Sequence, residues 1–195
     1  MVIAVLLGSV RSERMGERAA KWVSAELRKR GHEVVLVDAA VVQLPLLDKM
    51  WKEIKGSAEP EYAELREKLR PLAELYARVD GYCIVSAEYN HSVPPGLTNL
   101  IDYFLEEYGF RPSAIVCYSA GAYGGVRAAM QLRAMLCEVG MPSIPSLQAI
   151  PKIGSALTED GVALVPALER AGKFFDEFEW YMRAMAVERA KGVPY

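Results

Sequence analysis

A doubly wound α/β sandwich, a parallel sheet covered by helices on both faces, is the fold class this sequence predicts. Short unbroken apolar runs mark strands buried on both faces. Longer stretches with apolar residues at helical spacing separate them, and the two kinds of segment alternate five times. At 195 residues the chain has the length of one domain, so residues 1–195 are expected to form a single unit.

Val2–Leu7 (VIAVLL) reads as the first strand, ended by Gly8. Over residues 15–30, Ala19, Ala20, Val23 and Leu27 share one helical face, and Gly31 supplies a C-cap. Glu33–Asp38 (EVVLVD) is a valine-rich second strand. Residues 39–59, with Pro45 and Gly56, read as irregular, with Met50 and Trp51 exposed. A helix over residues 61–78 aligns Leu65, Leu69, Leu72 and Leu75, and Pro71 is expected to kink or restart it. Gly81–Ala87 is the third strand, 96–107 a helix, 114–119 the fourth strand, and 125–139 a helix stopped by Gly140 and Pro142. Ser143–Ile150 is the fifth strand, and residues 165–191 form a last amphipathic helix.

Composition excludes several classes of function. Hydrophobic residues make up 52% and charged residues 25%, enough apolar surface to bury a core and too much for disorder. The 23 Lys and Arg against 25 Asp and Glu leave a net charge of -2, with no basic footprint for nucleic acid or an anionic membrane. No apolar run reaches the roughly 18–20 residues of a membrane span, and Val2–Leu7 lacks the preceding basic residues of a secretory leader. Cys83, Cys117 and Cys137 are odd in number and scattered, unlike a disulfide framework or a zinc site. A soluble globular domain of the cytoplasm is expected.

In open α/β sheets, ligands bind beyond the carboxyl ends of the strands, where strand order reverses. The loop after the first strand, Gly8-Ser9-Val10-Arg11-Ser12-Glu13-Arg14-Met15-Gly16, sets glycines, hydroxyls and arginines before a helix start. Amides there favour an anion, and an arginine adds a bidentate fork. G-x-G-x-x-G and G-K-[S/T] are both absent, against a dinucleotide Rossmann turn and a P-loop. The plainer reading, a Ser9 or Ser12 N-cap with solvated arginines, stays open. The third strand runs into Glu88-Tyr89-Asn90-His91-Ser92, then Pro94-Pro95-Gly96-Leu97. Glu88, Tyr89 and Asn90 offer edge hydrogen bonds and a flat contact for a planar heteroaromatic ligand, although Asn90 and Ser92 equally suit a turn and a cap. After the fourth strand, Ser119, Gly121, Gly124 and Gly125 let a backbone approach a ligand closely.

Other side chains read more plainly. Ser119 lacks the G-x-S-x-G elbow of a hydrolase, His32 reads as solvated, and two separated histidines make no metal site. Cys83 and Cys117 read as small buried hydrophobes on neighbouring strands, and Asp38 as an ordinary loop carboxylate. Tyr103, Phe104, Tyr108 and Phe110, and also Phe174 and Tyr181, exceed what one core face requires and are expected to widen a partner-facing surface.

Taken together, Gly8-Ser9-Val10-Arg11, Glu88-Tyr89-Asn90-His91-Ser92 with Pro95-Gly96-Leu97 and Asn99, and the segment from Ser119 to Gly125 resemble the NADPH-dependent FMN reductase family, flavodoxin-like flavoproteins of azoreductase and quinone-reductase type. Ala87 stands where the family usually has proline and Thr98 where lysine is frequent. The resemblance implies strand order 2-1-3-4-5. It implies that Ser9, Arg11 and the loop of Ser12, Arg14, Met15 and Gly16 hold the FMN phosphate. Glu88, Tyr89 and Asn90 would flank the isoalloxazine, and Ser119, Gly121, Gly124 and Gly125 would line its pyrimidine end. It further implies NADPH or NADH as co-substrate, a quinone, azo compound, free flavin or metal oxyanion as acceptor, no side chain acting as covalent catalyst, and a homodimer or homotetramer. The alternative is a non-enzymatic flavin-binding electron carrier or redox-sensing partner protein, against which Arg11, Arg14 and the small net charge stand.

Overall fold

Unbroken apolar strands form the middle of a sheet because only burial on both faces suits them. In the computed structural model, which describes residues 1–194, β1 (Val2–Leu7), β2 (Glu33–Asp38), β3 (Gly81–Ala87), β4 (Ser113–Tyr118) and β5 (Ser143–Ile150) pair in parallel in the order β2-β1-β3-β4-β5. This is the flavodoxin-like order. The central strands β1, β3 and β4 are the most deeply buried, as their composition requires.

Side chains alternate along each strand and divide the core in two. Ile3, Val5, Leu7, Val85 and Val116 pack on one face against α1 (Gly16–Lys29) and the last helix, where the rings of Trp22 and Phe175 lie 5.6 Å apart. Ala4, Leu6, Ile84 and Ile115 pack on the other face, beneath the helices that follow β2, β3 and β4. Cys83 and Cys117 point to opposite faces, so the neighbouring thiols are packing groups. Among the described residues, no helix is long and apolar enough to cross a membrane.

Four element boundaries differ from expectation. Residues 39–59 contain two short helices, α2 (Ala39–Val42) and α3 (Trp51–Ile54), and Met50 and Trp51 are half-buried. A 3-10 turn at Pro60–Tyr62 leads into α4 (Ala63–Arg78), which passes through Pro71 without a break. Glu67, whose carbonyl loses its partner to the proline, is an exposed residue. Helix α5 (Pro95–Asp102) stops well before residue 107, and a 3-10 turn at Glu106–Tyr108 follows. After α6 (Val126–Glu138) and the short α7 (Ile153–Ala156), the last helix is split into α8 (Pro166–Glu169) and α9 (Gly172–Arg189). Val165, extended as a residue before proline should be, fixes the start of α8, and Gly172 is a weak helix former at the break.

The early end of α5 has a physical cause. Tyr103, Phe104 and Tyr108 are fully buried rather than partner-facing, and so is Phe174 in the opposite layer. Phe104 meets Tyr76 edge-on at 5.0 Å and Tyr82 meets Tyr108 at 5.3 Å. Turning the chain out of the helix at Leu105 (φ -147°) seats these rings together, and burial outweighs the intrinsic preference for helix. Phe104→Ala is therefore expected to cost about 3–5 kcal/mol of unfolding free energy, measured in urea on the isolated protein. A surface role would leave stability nearly unchanged.

Candidate functional site

The pairing register brings the expected loops to one rim. Leu7 lies opposite both Asp38 and Val85, and Ala87 lies opposite Tyr118. The chain therefore leaves β1, β3 and β4 along the same edge, and β1 is where the order reverses. A cavity of about 330 Å³ opens there, lined among others by Ser9, Arg11, Ser12, Arg14, Met15, Glu88, Tyr89 and Ser119. Gly16, Asn90, Gly121, Gly124 and Gly125 do not line it and instead shape the turns around it.

In the first loop, Ser9 is buried and shares a hydrogen bond with the Tyr89 hydroxyl, joining the first and second loops. Arg14 lines the cavity, and its guanidinium is committed within the protein. Its Nη1 donates to the Ser9 carbonyl at 2.6 Å and to Asp38 Oδ1 at 2.6 Å, Nη2 reaches Asp38 Oδ2 and Glu17, and Nε reaches Glu17 at 3.1 Å. All five guanidinium donors are used. Burial alone would lower the Arg14 pKa, but the hydrogen bonds to Asp38 and Glu17 outweigh it and raise it. Asp38 is accordingly no ordinary loop carboxylate: it anchors Arg14 and caps α2 through the Ala40 amide at 3.0 Å.

What remains uncommitted in this loop suits an anion. The N–H groups of residues 10–15 find no acceptor among the described residues. Arg11 is exposed, its guanidinium 5.9 Å from the Tyr89 ring centroid, with no carboxylate partner among the described residues. These amides precede the positive end of α1.

In the second loop, the Glu88 carboxylate caps α6 rather than facing open space: Oε2 accepts from the amides of Arg127 at 3.1 Å and Ala128 at 3.2 Å. A carboxylate at a helix N-terminus satisfies orphan donors and meets the dipole. Tyr89 and Ser92 exchange backbone hydrogen bonds of 3.0 and 2.9 Å, with Asn90 (φ 51°) and His91 (φ 61°) as the left-handed central pair of a tight turn. Gln131 pins that turn by accepting from Ser92 Oγ at 2.7 Å and donating to the His91 carbonyl at 2.8 Å. Arg127 and Gln131, one helical turn apart on α6, carried no motif. Only their place on the polar face after a glycine loop marked them. Asn99 holds the preceding segment instead, donating to Pro45 O at 2.7 Å and accepting from Leu47 N at 2.9 Å. Ala87, in place of proline, extends the β3–β4 pairing to Tyr118.

In the third loop, Ser119 Oγ donates to Gly121 O and accepts from Gly124 N, both at 2.9 Å, so its hydroxyl serves the turn and makes no contact with His91. Gly125 (φ 81°) must be glycine on two counts: its backbone is left-handed, and a Cβ would lie 2.8 Å from the Tyr118 carbonyl. His32 is not solvated; its Nε2 lies 3.0 Å from Glu179 on α9.

Tyr118, the last residue of β4, also lines the cavity and was not anticipated, because a tyrosine ending a buried strand carries no motif. It is 5% exposed, and burial pushes its phenol up to about 12. Its ring fills the space beside Gly16, where a Cβ would lie 2.1 Å from the Tyr118 hydroxyl. Across Val10, a second, mainly apolar cavity of about 380 Å³ is bounded by Val42, Leu44, Leu46 and Leu100.

The model of the NADPH-dependent FMN reductase family matches residues 1–154. An NAD(P)H-dependent FMN reductase from a Nectria species is 32% identical over 133 residues, which cover 67% of this chain and 64% of that relative's length. A quinone reductase of Pseudomonas putida is 32% identical over 164 residues, 81% of each chain. Among solved structures, the flavoenzyme NAD(P)H:(acceptor) oxidoreductase from Paracoccus denitrificans superposes with a TM-score of 0.70 at 19% identity, over 92% of this chain and 98% of that one, a likeness of fold.

Gly16→Ala ought to stabilise a helix by intrinsic propensity. Here the added methyl meets the Tyr118 hydroxyl, so the substitution is expected to destabilise by about 1–3 kcal/mol in chemical denaturation. Part of that loss should return in the double variant with Tyr118→Phe.

Proposed function

This chain belongs to the NADPH-dependent FMN reductase family, and from that premise we propose that it is an FMN-dependent oxidoreductase using NADPH or NADH as co-substrate. The observation that carries the reading is the loop of residues 8–16. It sets uncommitted amides and Arg11, which has no carboxylate partner among the described residues, at the start of α1, beside a cavity of about 330 Å³. That donor set would suit a phosphate dianion, and a flat ring would lie between the second and third loops.

When bound, FMN supplies hydride acceptance from the nicotinamide and onward transfer to the acceptor. The residues of this chain bind and orient. Arg11 and the amides of Ser12 to Gly16 would hold the phosphate, with Ser9 fixing the loop through Tyr89. Arg14 would act indirectly: with every donor committed to Asp38, Glu17 and the Ser9 carbonyl, it keeps the loop in the shape that exposes those amides. Tyr89 and the Asn90 turn would flank the ring on one side. The segment of Ser119, Gly121, Gly124 and Gly125 would flank the other, its backbone donors placed to stabilise negative charge. Glu88 would hold the α6 terminus in place rather than touch the ring, and no side chain would need to act as a covalent catalyst.

For the acceptor, a flat apolar molecule of quinone type is the proposal, supported by the apolar cavity across Val10 and by the quinone reductase relative. A homodimer or homotetramer is proposed too, supported by exposed apolar side chains at Val41 and Leu46 beside the site and at Trp180 and Val187 on α9. A cytoplasmic location agrees with the free thiols.

Protein incubated with FMN should emerge yellow from gel filtration, at the elution volume of an oligomer. Anaerobic NADPH or NADH should bleach the flavin within a turnover. Flavin that binds yet resists both nucleotides would mark an electron carrier instead. Arg11→Ala should weaken FMN binding by about 1.5–3 kcal/mol, the value of a hydrogen bond to a charged group, as measured by fluorescence quenching. An unchanged dissociation constant would remove Arg11 from the phosphate site.

A further inference from the structure

We infer that Tyr118 is a phosphate-binding residue: its hydroxyl donates a hydrogen bond to the 5′-phosphate of the flavin at the start of α1, and thereby selects the phosphorylated flavin over riboflavin. The inference rests on FMN being the group this site holds.

Four observations carry it. The hydroxyl is buried and, apart from an interaction with the Ser9 hydroxyl that Tyr89 shares, has no hydrogen-bond partner among the described residues, a state that a ligand or a water would complete. Packing does not explain it, because the ring of a phenylalanine would fill the same space between β4 and α1. The neighbouring groups that could accept from it are already shared: the Ser9 hydroxyl with Tyr89, its carbonyl with Arg14, and the Asp38 carboxylate with Arg14 and Ala40. Finally, position 16 is bare. A side chain there would collide with the hydroxyl at 2.1 Å, so glycine leaves the phenol at the first turn of a 14-residue helix, where amides and dipole favour an anion.

Chemically the group is suited to the task. Held neutral by burial, with a pKa of about 12, the phenol stays a donor across the working range of pH and adds no negative charge beside a phosphate. The phosphate contributes charged acceptor oxygens where the protein offers only the shared Ser9 hydroxyl, and the bond formed is of the stronger, charge-assisted kind. Arg11 then approaches the same dianion from the solvent side and Tyr118 from the sheet.

The test compares wild-type protein and Tyr118→Phe in their dissociation constants for FMN and for riboflavin. The expected result is FMN binding weakened about ten- to a hundredfold in the variant, with riboflavin binding unchanged. Inorganic phosphate gives the same comparison without the ring: it should raise the melting temperature of the wild type more than that of the variant. FMN affinity that is unaltered, or FMN and riboflavin weakened by the same factor, overturns the assignment and leaves Tyr118 a packing residue. Wild-type protein that binds no FMN overturns the functional reading as well, and so the two failures are told apart.

Discussion

The parallel register of β1, β3 and β4 is the constraint on which the rest of this structure depends. Leu7 opposite Val85, and Ala87 opposite Tyr118, end the central strands nearly level, so three loops of unrelated sequence leave the sheet at one edge. The register is held by burial on both faces. A slip of one residue would carry Ile3, Val5 and Leu7 out of the layer of α1 and α9 and into the layer of α4, α5 and α6. Because β1 is paired on both sides, the chain leaving it and the chain leaving β3 diverge to opposite faces, and the crevice between them follows from topology alone.

Within that crevice the strongest charges are spent on the protein itself. Arg14 and Asp38 are each about a tenth exposed and locked together, and Glu88 is turned onto the α6 terminus. Such buried charges add little net stability, since desolvation offsets much of the attraction, but once paired they tolerate few alternative geometries. The effect is to hold three loop walls in place. The remaining donors, the amides of residues 10–15, the Arg11 guanidinium and the Tyr118 hydroxyl, are not held by any carboxylate among the described residues. A site prepared in this way loses less entropy when an anion arrives, because its donors already point where they are needed.

The same economy appears in the core. Tyr103, Phe104 and Tyr108 look like surplus aromatics on a helix, and they are instead the filling between α4, α5 and the sheet. Seating them costs α5 its last turn. Helix propensity amounts to tenths of a kcal/mol per residue, whereas burying one aromatic ring is worth several times as much, and so the chain bends to the rings.

By itself the sequence determined the strands, their burial, the helices between them and the three loops that meet at the rim. These follow from local periodicity and from glycines, prolines and hydroxyls in short motifs, signals carried by neighbours in the chain. Serine and arginine in the first loop, glycines in the third and the Glu-Tyr-Asn turn were all legible for that reason. Only the tertiary structure decided which of those side chains stay free. Arg14 and Arg11 look alike in a loop, yet Asp38, 24 residues further along, binds one and not the other. Glu88 finds its partners 39 and 40 residues away, and Tyr118 meets Gly16 across the sheet. Hydrogen bonding is short-ranged in space and blind to distance along the chain, so the commitment of each polar atom is settled when the strands pair.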